Sequence, residues 1–411
     1  MTAQTQLLAE PGRISRLHVS ERKAEIGMSL REGERALEIN ASSLSGLVDL
    51  TYADTVRFPA PDWAIRSFTK AATAGGLSYT AYRGAGSIRE AVAANVSAFM
   101  GIKVDPDRNL ILTPGTQAAL YAVLSSVVEQ GDTVAMMDPD YLTNERMLRY
   151  LAANPVRVPL IWESAQDDTI DFDALESAFK QGAKVFLFSN PNNPTGTVHG
   201  PAVVTRIAEL AMRYDVMVIA DQLYARLVYD NRPYVHIASI PGMAERTVTL
   251  LGPSKTESMS GYRLGLAVGP ADIIDRMEDL QSITALRAPA YAQHTMIHWL
   301  AEDKEMIEKR VQEYQSLRDT VVRCFRKTNF LSVVPSGGTS YIFPRVVGIN
   351  ASDLDIALAL QNKAGVIINP GFQSGPRGIG HFRICFAQDE AILESCLERI
   401  GHVLGEFAAA G

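Results

Sequence analysis

The stretch VMVIAD, residues 216–221, decides how the fold of this chain is interpreted. Five apolar residues in succession, without polar alternation, are typical of a strand that is covered on both faces of its sheet. A similar run, VFLF at residues 185–188, comes before it, and residues 203–214 between the two have helical spacing. A strand, a helix and a second strand in this order predict a right-handed crossover within a parallel sheet.

The same alternation of strand and helix patterns continues outward from this unit. Apolar runs of strand length occur at residues 109–112, 133–137, 156–159 and 247–251, and helical spacing occurs at residues 64–74, 88–100, 118–128 and 172–180. The pattern predicts an α/β fold whose large domain, residues 61–300, has a mostly parallel sheet covered by helices on both faces. A long charged helix over residues 301–327 begins a pattern typical of a smaller α+β domain, residues 301–411. Residues 1–60 are predicted to form an N-terminal arm and part of that small domain.

Composition and charge restrict the classes of function. The 411 residues are 47% hydrophobic and 21% charged, which is ordinary for a globular enzyme. The formal net charge of −7 argues against a nucleic-acid-binding surface, which needs a concentration of basic side chains. The three cysteines have neither metal-site nor disulfide-framework spacing, and we find no signal peptide and no membrane segment. We therefore expect a cytoplasmic protein without a metal site.

Small and polar residues follow several of the predicted strands, at the sheet edge where ligands bind in α/β folds. TPGTQ, residues 113–117, opens the helix predicted at 118–128. It suits phosphate binding, although a simple N-cap is the commoner role of such residues. SNPNNPTG, residues 189–196, contains two prolines and three asparagines. A structural turn could use these residues, but Asn193 could also donate to an anionic oxygen.

An acid and a lysine follow two further strands. Asp221 ends the apolar run at 216–220, where it is either a helix N-cap or the partner of a protonated ring nitrogen. Lys255 follows the strand at 247–251, and partial desolvation there would make its amine easier to deprotonate than that of a surface lysine. Arg263, eight positions later, could bind a phosphate with its fork of N–H groups.

Together these segments resemble the fold-type-I, class I/II aminotransferases of the aspartate aminotransferase superfamily, over about residues 45–400. The resemblance implies that Lys255 forms a Schiff base with pyridoxal 5′-phosphate (PLP) and that Asp221 pairs with the ring nitrogen of this cofactor. It also implies that Asn193 and Tyr224 bind the 3′-oxygen of the ring and that Tyr141 stacks on it. The residues that match the phosphate cup of the family are Gly115, Thr116, Gln117, Ser254 and Arg263.

Two further segments match parts of this family that contact a second subunit and the substrate. Tyr79, in YTAYRGAGSIREA, is similar to the tyrosine that reaches the phosphate of the other subunit, which implies a homodimer with shared active sites. Arg383, in GHFRI, matches the arginine that binds the substrate α-carboxylate, with Asn193 and Ala53 as further substrate contacts. Residues 50–58, LTYADTVRF, depart from the family pattern near the substrate side chain, so the substrate itself stays open.

The resemblance implies an enzyme that moves amino groups between an L-amino acid and a 2-oxo acid with ping-pong kinetics. A β-elimination lyase, a decarboxylase or an oxidative deaminase stays open, because such relatives share the cofactor site. A non-catalytic regulator that senses PLP or an amino acid is a further alternative, although the N-terminal segment is short for a DNA-binding domain. Arg57 and Arg287 are candidates for contacting a second substrate carboxylate, but neither lies in a matching motif. His294 and His298 are interpreted as helix-surface or packing residues rather than metal ligands.

Overall fold

The structure is a computed structural model that describes residues 46–75, 78–163 and 169–410, together with Arg13 and Arg16. The predicted N-terminal arm therefore lies mostly outside the described residues. Among the residues described, no helix has the combination of length and apolar character that crossing a bilayer requires.

A seven-stranded sheet forms the centre of the larger part of the fold. Its strands are β2 (Leu110–Thr113), β3 (Thr133–Asp138), β4 (Asn154–Pro159), β5 (Val185–Ser189), β6 (Met217–Asp221), β7 (Thr247–Leu251) and β8 (Gly265–Val268), after a short β1 (Val48–Asp49) that lies elsewhere. The strand order is β2-β8-β7-β6-β5-β3-β4. The neighbours from β7 to β4 are parallel, whereas β8 is antiparallel to both β2 and β7. The prediction of a mostly parallel sheet is confirmed.

Helices cover both faces of this sheet, as the sequence predicts. They are α1 (Asp62–Thr73), α2 (Gly86–Met100), α3 (Thr116–Val127), α4 (Leu142–Tyr150), α5 (Phe172–Lys180), α6 (Pro201–Arg213), α7 (Ala271–Thr284) and α8 (Ala290–Gln293). Alternate residues of β5 face opposite sides of the sheet. Phe186 and Phe188 pack with α5 and α6 in one hydrophobic cluster, whereas Val185 and Leu187 pack with α3 and α7 in another. Burial on both faces explains why these strands are apolar throughout.

The C-terminal part of the chain has short strands and two long helices. Its elements are α9 (Lys304–Phe325), β9 (Leu331–Ser332), β10 (Tyr341–Ile342), β11 (Arg345–Val346), α10 (Asp353–Ala359), β12 (Val366–Ile367), β13 (Asn369–Pro370), β14 (Phe382–Cys385) and α11 (Glu390–Ala410). Strand β14 lies between β10 and β13 and is antiparallel to both. Strand β1 pairs with β12, so the segment just after residue 46 contacts this part of the chain.

Several elements differ from the sequence prediction. Helices α4 and α7 and strand β8 were not predicted. Strand β8 has only four residues, and its place between β2 and β7 depends on pairing with segments far away in the sequence. The long helix predicted at residues 301–327 is shorter, Lys304–Phe325. The domain boundaries remain predictions.

Candidate active site

The ends of the central strands open into one cavity of about 280 Å³. Its wall contains most of the residues that the sequence singled out. Those residues are Thr116, Gln117, Tyr141, Asn193, Asp221, Tyr224, Ser254, Lys255, Arg263 and Arg383. They come from segments up to 267 positions apart, since the span runs from position 116 to position 383. Such convergence is expected where parallel strands end at the same edge of a sheet.

The N-terminus of α3 and Arg263 form one side of the cavity. The Arg263 guanidinium donates to the carbonyls of Ser260 (2.9 Å) and Pro114 (3.3 Å), and no carboxylate of the described residues forms an ion pair with it. Gly115 precedes the helix with φ +92°, and a Cβ at this position would collide with that guanidinium. Thr116 has a buried hydroxyl without a hydrogen-bond partner in the described chain. A guanidinium, an unpartnered hydroxyl and a helix N-terminus together suit an anion.

Asp221 lies at the last position of β6, beside the cavity. Its carboxylate accepts a hydrogen bond from the backbone N–H of Leu223 at 3.1 Å. Burial raises the pKa of Asp221 to about 6, while that hydrogen bond and the nearby charge of Lys255 act in the opposite direction. Lys255 stands four residues after β7 and forms no hydrogen bond or ion pair with the described residues. The site therefore contains a carboxylate that a cation would stabilise and an amine without a fixed partner.

A buried carboxylate that the sequence analysis missed supports Tyr141. Asp140 accepts hydrogen bonds from Ser189 Oγ (2.6 Å), from Asn144 Nδ2 (3.0 Å) and from the backbone N–H of Tyr141 (2.8 Å). Burial and, to a smaller extent, the nearby charge of Asp221 raise the pKa of Asp140 to about 7, although these hydrogen bonds act in the opposite direction. The Tyr141 hydroxyl in turn donates to Gln117 Oε1 at 3.1 Å. These bonds hold the tyrosine against the end of the sheet.

Arg383, on β14, is a buried cation held by neutral acceptors. Its guanidinium donates to Asn193 Oδ1 (2.8 Å), to Asn369 Oδ1 (2.6 Å) and to the carbonyl of Thr51 (3.1 Å). Its Nε is buried without a partner, and among the described residues no carboxylate forms an ion pair with it. Burying a guanidinium without a counter-charge is costly, so this arrangement indicates that an anion arrives from outside the chain.

Tyr341 and Asn369 are parts of the site that the sequence reading missed. Tyr341 lines the cavity from β10, and the Arg383 guanidinium lies 4.0 Å from the centre of its ring. Its hydroxyl oxygen is 3.1 Å from that of Tyr224. The sequence offers one weak signal for Tyr341, an aromatic residue after the Gly337-Gly338 pair, and none for Asn369.

Comparison with known proteins settles the family. The sequence profile described as "Aminotransferase class I and II" matches residues 49–400, which is most of the chain. The chain belongs to the class I and II aminotransferases. An aspartate aminotransferase from Rhodobacter sphaeroides, of known structure, is 38% identical, covers 89% of this chain and 93% of its own, and has a TM-score of 0.86.

Curated relatives agree with this identification. A putative aminotransferase of Bacillus subtilis is 33% identical over 80% of this chain and 84% of its own length. An aromatic-amino-acid aminotransferase of Thermococcus litoralis is 29% identical over 89% of this chain and 94% of its own. This aminotransferase is therefore an enzyme of amino-group transfer, and the comparisons do not favour the lyase, decarboxylase, deaminase or regulator alternatives.

Some of the predicted residues of this aminotransferase lie away from the cavity wall. Tyr79 is 83% exposed and lies against Arg287, whose guanidinium is 4.4 Å from the centre of the tyrosine ring. Ala53 does not line the cavity, because it packs against the hydrophobic cluster of the C-terminal part, and Thr51 and Tyr52 line the wall instead.

The histidines and Arg57 lie outside the cavity as well. Arg57 is 3.9 Å from Glu313 at the surface. His298 stacks on Trp63 and is paired with Glu302 at 2.8 Å, while His294 begins a short 3-10 helix. No group of metal-ligating side chains occurs within the residues described.

Proposed function

We propose that this aminotransferase binds PLP in the cavity and moves an amino group between an L-amino acid and a 2-oxo acid by a ping-pong mechanism. One observation carries the proposal. A single cavity contains an unpartnered amine, Lys255, a buried carboxylate, Asp221, and two arginines held by separate sets of neutral groups. A cofactor with a phosphate and a basic ring, together with a substrate carboxylate, would complement all four.

The side of the cavity at α3 fits the phosphate of PLP. Arg263 and the N-terminus of α3 supply positive charge, and the Thr116 hydroxyl supplies a further donor. Gln117 and Ser254 lie beside them, and the Ser254 hydroxyl donates to the carbonyl of Leu264 at 3.2 Å. The unpartnered Thr116 hydroxyl is the sign that a ligand completes this group. The lack of a side chain at Gly115 leaves room for the Arg263 guanidinium at this point.

The middle of the cavity fits the ring of the cofactor. Asp221 would pair with the protonated ring nitrogen, which offsets the burial that raises the pKa of this acid to about 6. Asn193 uses its Oδ1 to accept from Arg383, so its Nδ2 is left to donate to the 3′-oxygen together with the Tyr224 hydroxyl. The ring of Tyr141, fixed by Asp140 and Gln117, would stack on the cofactor.

When bound, PLP supplies an aldehyde that condenses with amines and a ring that accepts electron density from the α-carbon of the substrate. Lys255 Nζ is the amine that would hold the cofactor, and it would be free for proton transfer once a substrate amine takes its place. The same Nζ then takes the proton from the substrate Cα as a general base and later returns a proton as a general acid. Arg383 would bind the α-carboxylate and so fix which bond at Cα points toward Lys255.

A homodimer with shared sites is part of the proposal. Tyr79 is a large, exposed aromatic residue in the segment that resembles the phosphate-binding segment of the neighbouring subunit. The Arg287 guanidinium packs against its ring and donates to the carbonyl of Thr80 at 2.5 Å, which holds the tyrosine in an outward position. We propose that Tyr79 completes the phosphate site of a second copy of the chain.

Borohydride reduction of the purified protein with bound PLP tests the proposal. We expect a stable pyridoxyl adduct on the peptide that contains Lys255, detected by mass spectrometry, and neither adduct nor turnover in Lys255→Ala. Lys184→Ala is the matched control, because Lys184 is a surface lysine paired with Asp132 at 2.7 Å and does not line the cavity. An adduct on another lysine, or none at all, would contradict the assignment.

Reaction with an L-amino acid in the absence of a 2-oxo acid tests the type of chemistry. Stoichiometric formation of pyridoxamine phosphate, followed by arrest, is the expected result of amino-group transfer. Continuous release of ammonia without an acceptor would instead indicate elimination or oxidative deamination.

A further inference from the structure

Tyr341 contacts both Tyr224, which we propose binds the cofactor, and Arg383, which we propose binds the substrate. Its hydroxyl accepts a hydrogen bond from the Tyr224 hydroxyl at 3.1 Å, and the proposed function assigns Tyr224 to the 3′-oxygen of the cofactor. Its ring lies 4.0 Å from the guanidinium of Arg383, which would bind the substrate carboxylate. Tyr341 is 4% exposed and Tyr224 is 5% exposed, so both contacts are sheltered from water.

The backbone fixes Tyr341 in this position. Tyr341 on β10 is the cross-strand partner of Cys385 on β14, and Cys385 lies two positions after Arg383 on the same strand. Its backbone N–H donates to Thr339 Oγ1 at 3.1 Å, and its carbonyl accepts from the hydroxyl of Ser336. Because residues two apart on a strand point to the same face, the Tyr341 ring and the Arg383 side chain share one face of this small sheet.

We propose that Tyr341 is a positioning residue for amino-group transfer. Its ring supports the Arg383 guanidinium, and its hydroxyl, which accepts from Tyr224 in the structure, donates to Tyr224 once that tyrosine directs its own hydrogen to the cofactor. This inference rests on the proposed function. It assigns one residue to both the cofactor side and the substrate side of the site.

The reversal of the hydrogen bond between the two tyrosines on cofactor binding follows from counting donors. A phenol hydroxyl donates one hydrogen and accepts up to two. Burial raises the pKa of Tyr224 well above its ordinary value, so this residue keeps its hydrogen at neutral pH. If that hydrogen is directed to the cofactor oxygen, the hydrogen between the two tyrosines has to come from Tyr341. Donation from Tyr341 polarises the Tyr224 O–H and strengthens its bond to the negatively charged oxygen.

Absorbance titration of the holoenzyme measures this effect directly. The visible band of lysine-bound PLP changes with pH when the nitrogen of that linkage loses its proton, and a stabilised 3′-oxygen anion favours the deprotonated form. The charged and titratable groups around Tyr224 are Tyr341, Arg383 and Cys385, with Lys255 and Asp221 on the same cavity wall. Removing only the Tyr341 hydroxyl should therefore raise the midpoint of the titration by about 0.1 to 0.7 pH unit, from a 10–30% change in a charge-assisted bond.

Two substitutions at one position separate the roles of hydroxyl and ring. Tyr341→Phe keeps the ring under Arg383, so the titration midpoint should rise while KM for the amino donor stays within about twofold. Tyr341→Leu removes both the hydroxyl and the aromatic ring, so the titration midpoint should rise by the same amount as in Tyr341→Phe. In addition, KM for the amino donor should increase roughly 5- to 30-fold, as expected from loss of a desolvated cation–π contact. Tyr314→Phe is the matched control, because Tyr314 is buried in the same cluster, its hydroxyl has no partner among the described residues, and it does not line the cavity.

A double variant tests whether Tyr341 acts through Tyr224. In the Tyr224→Phe background, Tyr341→Phe should shift the midpoint no further, because the hydroxyl that it polarises is gone. An unchanged or lowered midpoint in Tyr341→Phe, or an equal further shift in the double variant, would overturn the role of the hydroxyl. Equal KM values for the Phe and Leu variants would overturn the role of the ring. Wild-type protein without any visible band with PLP would instead contradict the proposed function itself.

Discussion

Arg383→Lys keeps the positive charge of the proposed carboxylate site but removes the planar arrangement of N–H groups that a guanidinium provides. The guanidinium reaches Asn193, Asn369 and the carbonyl of Thr51 at the same time, at 2.8, 2.6 and 3.1 Å, and has an unpartnered Nε. A lysine ammonium is a point charge on a flexible stem and cannot present a planar fork to a carboxylate. The substitution therefore separates the need for charge from the need for two parallel N–H groups.

The size of the effect follows from the bonds that are lost. One charge-assisted hydrogen bond to the substrate carboxylate contributes about 1.5–3 kcal/mol, so kcat/KM for an L-amino acid should fall roughly 10- to 150-fold. The buried amide oxygen of Asn193 and the half-buried one of Asn369 also lose their donor, and a buried oxygen left without a partner lowers the free energy of unfolding by about 1–3 kcal/mol. That second cost is present in the free enzyme as well and so does not enter kcat/KM.

Single-turnover absorbance changes of the bound cofactor provide the assay. Each variant is mixed with an L-amino acid and, separately, with the corresponding amine that lacks the carboxylate. The rate constant with the amino acid should fall, while that with the carboxylate-free amine should stay within about twofold. Arg57→Lys serves as the matched control, because Arg57 is at the surface and does not line the cavity. Equal losses for the two substrates would refute the role of Arg383 in carboxylate binding.

Three further predictions concern the cofactor site. Because burial raises the pKa of Asp221 from 3.8 to about 6, its protonated form favours folding below pH ~4, and that stabilisation is lost as the pH rises through about 6. Cofactor-free Asp221→Asn should therefore gain up to about 3 kcal/mol in the free energy of unfolding at pH 7 but not at pH 4, as measured by denaturant titration. The same variant should lose affinity for PLP. The absence of a gain at pH 7 would contradict the cost of burying this charge. In Gly115→Ala the new Cβ would sit at φ +92° and collide with the Arg263 guanidinium. The dissociation constant of PLP, measured by fluorescence titration, should rise roughly tenfold or more, while that of phosphate-free pyridoxal should stay unchanged. An equal loss of affinity for both compounds would count against a phosphate site. Mixed dimers of Lys255→Ala and Tyr79→Ala subunits should regain activity, since one site of each hybrid has both native residues, and no recovery after subunit exchange would rule out sharing of Tyr79 between subunits.

The sequence by itself determined the framework of this aminotransferase and predicted the residues that we propose for its chemistry. Uninterrupted apolar runs such as residues 185–188 predict strands buried on both faces, because burial demands apolar side chains whatever the neighbours are. The polar residues just after these runs, Asp221 and Lys255 among them, could be expected to converge, since the carboxyl ends of parallel strands meet at one edge of a sheet. Local patterns and strand direction were enough for this part.

Only the tertiary structure decided which residues support that chemistry. Tyr341 and Asn369 contact Arg383 because β10 and β13 pair with either side of β14, and no local pattern records such pairing. Asp140 is buried beside Ser189 because strands β3 and β5 are neighbours in the sheet. In the sequence, the segment that contains Asp140 looks like an ordinary polar turn. Periodicity encodes how much of an element is buried, but which side chains meet depends on register and on contacts between distant segments, and these exist only once the chain has folded.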